Sequence, residues 1–159
     1  MKHLIVSDSS LLIALININQ LELLQYSFAK VIIPTMVNDE VERGLSFDSS
    51  WFSQKQQGFI SVQMLKKDPR LPLLNMQLDP GESEAILLAD QLKLPLLIDE
   101  KAGRKMALDL GLKIQGLVGL LYSLRQTNHI SSEDMISIVE NLGKVNFRMS
   151  NSLKALLLD

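Results

Sequence analysis

Along this chain, short apolar runs that stop at a polar or breaking residue alternate with longer segments whose leucines and alanines recur at helical spacing. The first run, Leu4, Ile5 and Val6, ends at Ser7-Asp8 and is followed by two serines and LLIALI. This predicts a strand, an acidic turn, and a helix that Ser9 or Ser10 can cap. A second short helix is expected over 20–25. Val31, Ile32 and Ile33 are β-branched and stop at Pro34, which predicts the second strand. Thr35 then caps a helix carrying Met36, Val37, Glu40 and Val41 that ends at Gly44. Residues 49–57 read as a more polar helix with Trp51 and Phe52 turned inward, and 59–64 as the third strand.

Residues 66–77 hold two prolines and the basic group Lys66, Lys67 and Arg70, and read as the longest loop, a rim or lid. Asp79-Pro80-Gly81-Glu82 opens the next helix with an acid at the cap, proline at the first helical position and glutamate three residues after the cap, the pattern of a capping box. Pro95 follows that helix. Leu96, Leu97 and Ile98 are apolar on both faces and predict a central parallel strand. A helix over 101–110 stops at Gly111, a fifth strand covers 112–115, and helices follow over 116–127, 131–142 and 151–158. Strands alternating with helices, without repeat or linker, predict one α/β domain over 1–159 with a mostly parallel sheet of about five strands.

Composition narrows the chemistry. The 159 residues suffice for one domain with a real core, and 47% of them are hydrophobic. Cysteine is absent, which excludes a disulfide scaffold, thiolate zinc sites and a cysteine nucleophile, and fits a reducing, cytoplasmic setting. Asp8 interrupts the apolar N-terminal run and no small-residue cleavage site follows, so that run is read as a strand and helix rather than a signal peptide. No apolar run is long enough to span a bilayer. The formal net charge of −2 argues against coating nucleic acid through bulk charge, but carboxylates gathered in one site lower net charge while a bound cation reverses the local sign.

Ligands of open parallel sheets bind outside the C-terminal ends of the strands, where Asp8 and Asp99 are expected. Glu40 follows the second strand, and Glu82 and Glu84 open the helix before the fourth, so all can reach one crevice. Such acids cannot all be ionised together without compensation. Either some hold protons or a cation sits among them, and oxygen ligands favour Mg²⁺ or Mn²⁺. That chemistry suits phosphodiester hydrolysis, in which a divalent ion activates water and neutralises phosphate charge. Each acid also has a structural reading: Asp79 and Glu82 as caps, Glu84 as a first-turn acid suited to the helix dipole, Glu40 as a solvated helix acid, Asp99 as the start of the next helix. His3 and His129 lie in no motif, and no glycine-rich phosphate loop is present.

The pieces IVSDSSLLIAL, VIIPTMVNDEV, LDPGESEAILLA, LLIDEKAGRKMA and LKIQGLVGLL together resemble the PIN domain, a fold of small metal-dependent ribonucleases that includes VapC-like toxins of toxin–antitoxin pairs. The resemblance runs from 4 to 150 and is strongest to the PIN-like branch with GEsEA and DExxGR signatures. It implies a three-layer α/β/α fold with strand order 3-2-1-4-5, so that Asp8 and Asp99 stand side by side. It also implies catalytic and metal-binding roles for Asp8, Glu40, Glu84 and Asp99, with Ser10 as the small polar residue that helps hold the site. Glu82 is extra relative to many members, and the Glu82/Glu84 pair is similar to the paired glutamates of flap-endonuclease relatives, so either can be the direct ligand.

The function expected is therefore a Mg²⁺- or Mn²⁺-dependent endoribonuclease, the toxin of a toxin–antitoxin pair. The alternative is a PIN-like module that binds RNA or protein without cutting. Substrate contact is expected from Lys66, Lys67 and Arg70, and from Lys101, Arg104 and Lys105 beside Asp99. Partners expected are RNA, an antitoxin protein and a second copy of the chain. The resemblance implies the dimer. Leu117, Leu120, Leu121, Leu124, Val118, Tyr122 and residues 156–158 give more apolar surface than one core-facing stripe requires.

Overall fold

The computed structural model describes residues 2–46 and 49–159. Five strands form one parallel sheet in the order β3-β2-β1-β4-β5, with helices around it, the α/β/α arrangement expected. In chain order these are β1 (His3–Ser7), β2 (Phe28–Ile33), β3 (Ile60–Val62), β4 (Leu96–Leu97) and β5 (Ile114–Gln115). The helices are α1 (Ser9–Asn17), α2 (Leu24–Ser27) behind a 3₁₀ turn (Leu21–Leu23), α3 (Thr35–Glu42), α4 (Ser50–Gln56), α5 (Leu71–Asn75), α6 (Pro80–Leu92), α7 (Lys101–Asp109), α8 (Leu117–Gln126), α9 (Ser132–Lys144) and α10 (Asn151–Leu158). No helix among the described residues is long and apolar enough to cross a membrane.

β1 and β4 occupy the centre because they are the runs with apolar residues on both faces. Ile5, Val6, Leu96, Leu97 and Ile98 are all buried. β4 is only two residues long, yet it pairs on both sides, Val6 and Ser7 with Leu96 and Leu97, and these with Ile114 and Gln115. α6 is buried around most of its first three turns and packs on β1, α3, α5 and α7. Its apolar residues therefore do not keep to one stripe.

Two expectations are corrected. Residues 66–77 are not one loop, because Leu71–Asn75 form α5. Pro72 lies in its first turn, where a missing N–H costs no hydrogen bond. Arg70 is also not free to meet a substrate. Its guanidinium bonds Asp68 at 2.8 Å and Asp90 at 2.9 Å, near the C-terminal end of α6. Glu82 stands at the opposite end of that helix, so the Lys66, Lys67 and Arg70 group lies away from the sheet's carboxylate edge. Leu117, Leu120, Leu121 and Leu124 are all buried and form the one core-facing stripe of α8, while Tyr122 beside them stays exposed.

Leu97 carries both sheet pairing and core packing at the narrowest strand. Leu97→Ala should lower stability to urea by about 2–5 kcal/mol, the range for a large-to-small core substitution. A loss below about 1 kcal/mol would show that β4 tolerates collapse of its packing.

Candidate active site

The end of β1 positions the first acid. The Asp8 amide donates to the Leu97 carbonyl at 3.0 Å, continuing the β1–β4 pairing one residue past the strand. Asp8 Oδ1 accepts from the Ser9 amide at 2.7 Å, and Oδ2 from the Ser10 hydroxyl at 3.4 Å. Asp8 is thus itself the cap of α1, where Ser9 or Ser10 was expected. The reason is backbone geometry: Asp8 holds the extended conformation a cap needs (φ −77°, ψ 169°), while both serines already lie in the first turn. Ser9 is released for another contact, and its hydroxyl donates to Glu40 Oε2 at 2.6 Å.

The start of α6 brings the next acids to the same edge. Asp79 caps the helix by accepting from the Glu82 amide at 2.8 Å. Glu82 instead turns inward, only 6% exposed, and its Oε2 is buried without a hydrogen-bond partner. Gly103 of α7 makes room for it, because a Cβ there would come within 2.6 Å of Glu82 Oε2. A Cβ on Gly81 would likewise strike the Glu40 carboxylate. Glu84, two residues on and so turned to the other side of α6, faces α3, and its Oε1 accepts from the Met36 amide at 3.2 Å. It supplies the capping acceptor expected from Thr35; α3 begins after Pro34, whose side chain can accept nothing.

Electrostatics distinguishes these acids. Asp8 is 1% exposed, and burial pushes its carboxyl from an ordinary 3.8 to about 7. The Ser9 amide opposes the shift, while Asp79 and Glu40 add to it through charge repulsion. Burial likewise pushes Glu82 up to about 8, reinforced by a hydrogen bond and charge repulsion from Asp79 and by repulsion from Asp8. Asp8, Glu40, Asp79 and Glu82 thus form one electrostatic neighbourhood, which favours the protonated forms of Asp8 and Glu82 well above the usual carboxylate range.

Asp99 stands on the neighbouring strand end but in a different setting. Both its oxygens accept from the Leu117 amide, at 3.1 and 3.3 Å, so it covers the N-terminus of α8. Burial raises its pKa, while the Leu117 amide and the Arg104 charge oppose the rise. A Cβ on Gly116 would come within 2.6 Å of Asp99 Oδ1 and 2.8 Å of Arg104 Nη1. Asp99, Ser10, Lys101 and Arg104 open a groove of about 1010 Å³ that runs on along α1, α8 and the segment before α10. Lys105 does not line it. Among the described residues no three of the acids converge as a ready-made cation cage.

Sequence reasoning missed Ser9, Gly81, Gly103 and Gly116, and treated Asp79 as a cap alone. For Gly81 and Gly103 the signal was position, one between Asp79 and Glu82 and the other in the turn after Asp99-Glu100; Gly116 has no acid near it in sequence and gave no such signal. For Asp79 the clue was topological, since a helix leading into a parallel strand starts at the sheet's ligand edge.

Comparison with known proteins agrees with this architecture. A family model described as the PIN domain matches residues 4–159. Among solved structures, the chain is similar to a PilT N-terminus domain protein from the hyperthermophilic archaeon Sulfolobus solfataricus P2. The TM-score is 0.54 and the identity 23%, over 76% of this chain and 92% of that one. At that identity the likeness concerns the fold. No curated protein sequence matches the chain.

The raised acids make the metal-free protein sensitive to pH in a stated direction. Native Asp8 and Glu82 keep protons that the unfolded chain releases near pH 4, so stability falls as pH rises from about 5 to 8. Asp68 and Glu42 are shifted downward by their cationic partners; their contribution is complete above their ordinary values and lies outside this window. Urea denaturation in EDTA should show a fall of at least about 1 kcal/mol across it, reduced in Asp8→Asn, which keeps the cap without the charge. A flat profile in the wild type would refute the crowding.

The two glutamates should respond oppositely. Glu84→Ala removes the acceptor of the Met36 amide and should cost about 1 kcal/mol. Glu82→Gln removes a buried acid and should leave stability at pH 8 unchanged or higher. Equal losses in both, measured in EDTA, would contradict this division.

Proposed function

We propose, because this chain belongs to the PIN domain family, that it is a divalent-cation-dependent endoribonuclease. Members of that family are generally nucleases and typically bind divalent metals. The observation that carries the reading is Glu82 Oε2, a buried carboxyl oxygen with no partner, near a buried Asp8 that the Ser9 amide and Ser10 hydroxyl satisfy only in part. Buried polar atoms are almost always satisfied, so an orphan among acids argues for an absent cation. The donor set is all oxygen, which fits Mg²⁺ or Mn²⁺. Asp8, Glu40 and Glu82 would hold the ion, with Asp99 at the adjoining strand end and Glu84 shaping α3 from behind. When bound, the ion would supply activation of water and neutralisation of phosphate charge.

The chain's own residues have separable roles. Ser9 fixes the Glu40 carboxylate, and Ser10 leans on Asp8. The Leu117 amide fixes Asp99, which stays beside Arg104 at the mouth of the groove. Arg104 and Lys101 meet the substrate phosphate there, as a strand-end cation pair facing acids that would otherwise repel it.

We propose further that the protein acts as the toxin of a toxin–antitoxin pair and self-associates. Leu153, Leu156 and Leu158 of α10 remain exposed although Leu157 is buried, an apolar face for a second copy or an antitoxin segment. The alternative, a module that binds without cutting, draws support from the lack of three converging acids among the described residues.

Two measurements address these readings. Calorimetric titration with Mn²⁺ should show binding that Asp8→Asn weakens at least about tenfold, and RNA cleavage should fall with it. Metal binding indifferent to Asp8 would sink the nuclease reading in favour of the module. Light scattering at about 100 µM should report a dimer; a strict monomer would leave the α10 leucines to a different partner.

A further inference from the structure

We propose that the groove beside Asp99 is a track for single-stranded RNA in which Tyr122 and Phe147 receive an unstacked base and Arg148 receives a phosphate. The nuclease reading supplies the choice of ligand; the track itself is argued from the groove. Its volume, about 1010 Å³, lies at the top of the range for small-molecule pockets, about 300–1,000 Å³. It is larger than the carboxylate crevice needs and extends away from it, from Ser10 and Asp99 to the chain that leaves α9.

The groove has two chemical halves. Lys101 and Arg104 line the end at the strand termini. Tyr122 and Phe147 line the far part, with aliphatic side chains of α1, α8 and α10 around them. Arg148 joins from the C-terminal segment. Asn146, in the left-handed conformation (φ 64°) that asparagine tolerates, turns the chain out of α9 so that 146–148 all line the groove.

Partnership elsewhere sharpens the contrast. Lys55 and Arg70 are each held by carboxylates, whereas Lys101 and Arg148 make no ion pair among the described residues. His3 and Phe28 pack edge to face, and Tyr26 stacks on His129. Tyr122 and Phe147 meet no other ring among the described residues, and Tyr122 is 37% exposed. On a chain of net charge −2, two cations without an ion pair, Lys101 and Arg148, and two rings, Tyr122 exposed and Phe147 half-buried against the core, line one groove whose inner end carries Asp99 beside Arg104 and Glu100.

That pairing selects the ligand. Phosphates need the cations, and a ring face accepts any base by stacking. In a duplex both base faces are already stacked and the edges are turned inward, so the apolar wall would go unused. An apolar protein helix would use the wall but leave the cations without counter-charges, and is the weaker match.

The test is fluorescence anisotropy of a labelled six-nucleotide single-stranded RNA with the whole protein in EDTA, where no cutting occurs. Arg148→Gln should weaken binding about tenfold and reduce the salt slope by about one. Tyr122→Leu should weaken it about fivefold or more, and Phe147→Leu, which preserves aliphatic packing, should follow in the same direction. A duplex of the same sequence should bind more weakly than the single strand. Variants that melt like the wild type yet bind within twofold of it would overturn the track and leave the groove to a protein segment; so would equal affinity for the duplex. Cleavage with Mn²⁺ separates the two readings. RNA bound through Tyr122 and Arg148 but never cut would leave the track standing without the nuclease. Cutting unaffected by either variant, with unchanged affinity, would leave the nuclease without the track.

Discussion

The hydrogen bond from the Asp8 amide to the Leu97 carbonyl, 3.0 Å long, holds the two strand ends from which the candidate site is built. It carries the β1–β4 pairing past the last strand residue and sets Asp8 beside the turn that bears Asp99. Everything nearby is arranged around the consequence, a carboxyl group carried into the edge of a hydrophobic core. α1 begins on Asp8 and takes its charge to the Ser9 amide. α3 presents Glu40 to the Ser9 hydroxyl, and α6 presents Asp79 and Glu82. Glycines let backbone and carboxylate come close there, Gly81 against Glu40 and Gly103 against Glu82.

Burial and repulsion act in the same direction here, which separates this cluster from the other ionic groups of the protein. Around Asp68 and Arg70, or Glu42 and Lys55, opposite charges meet and the carboxyl is stabilised as an anion. Around Asp8 and Glu82 no cation among the described residues offsets the charge, and burial and repulsion favour the protonated acids. A protein built only for stability would do better with apolar residues at such positions. Asp99 is the intermediate case: the Leu117 amide and Arg104 offset part of its burial. The site therefore has an inner part crowded with carboxyl groups and a mixed outer part that opens into the groove.

Much of this was legible in the sequence because parallel α/β folds tie chemistry to position. Apolar runs ending at Asp8 and Asp99 located the central strands and the acids together, and the family resemblance implied the strand order that the sheet has. The errors were local. Caps were assigned by residue type, but Asp8 displaced Ser9 because backbone conformation decides who caps. Glu84 displaced Thr35 because a distant carboxylate reached the Met36 amide. No spacing rule separates Glu82 from Glu84; the helix rotates one toward Gly103 and the other toward α3, and only packing decides which. Arg70 looked available although Asp68 stands two residues before it; its second partner, Asp90, is brought to it by α6. Of the groove only the end with Ser10, Asp99, Lys101 and Arg104 was legible; Tyr122, Phe147 and Arg148 are far from these along the chain and join them only through the fold.

The central claim is that the buried acids at the β1 end are the ligands of a divalent cation. Diffraction from crystals grown with Mn²⁺, recorded for anomalous scattering, tests it most directly. The account predicts an anomalous peak within about 2.0–2.6 Å of carboxylate oxygens of Asp8 and Glu82, the distance range of hard-ion coordination by oxygen. Fully occupied Mn²⁺ elsewhere on the protein, with Asp8 and Glu82 still bonded only to protein groups, would contradict it.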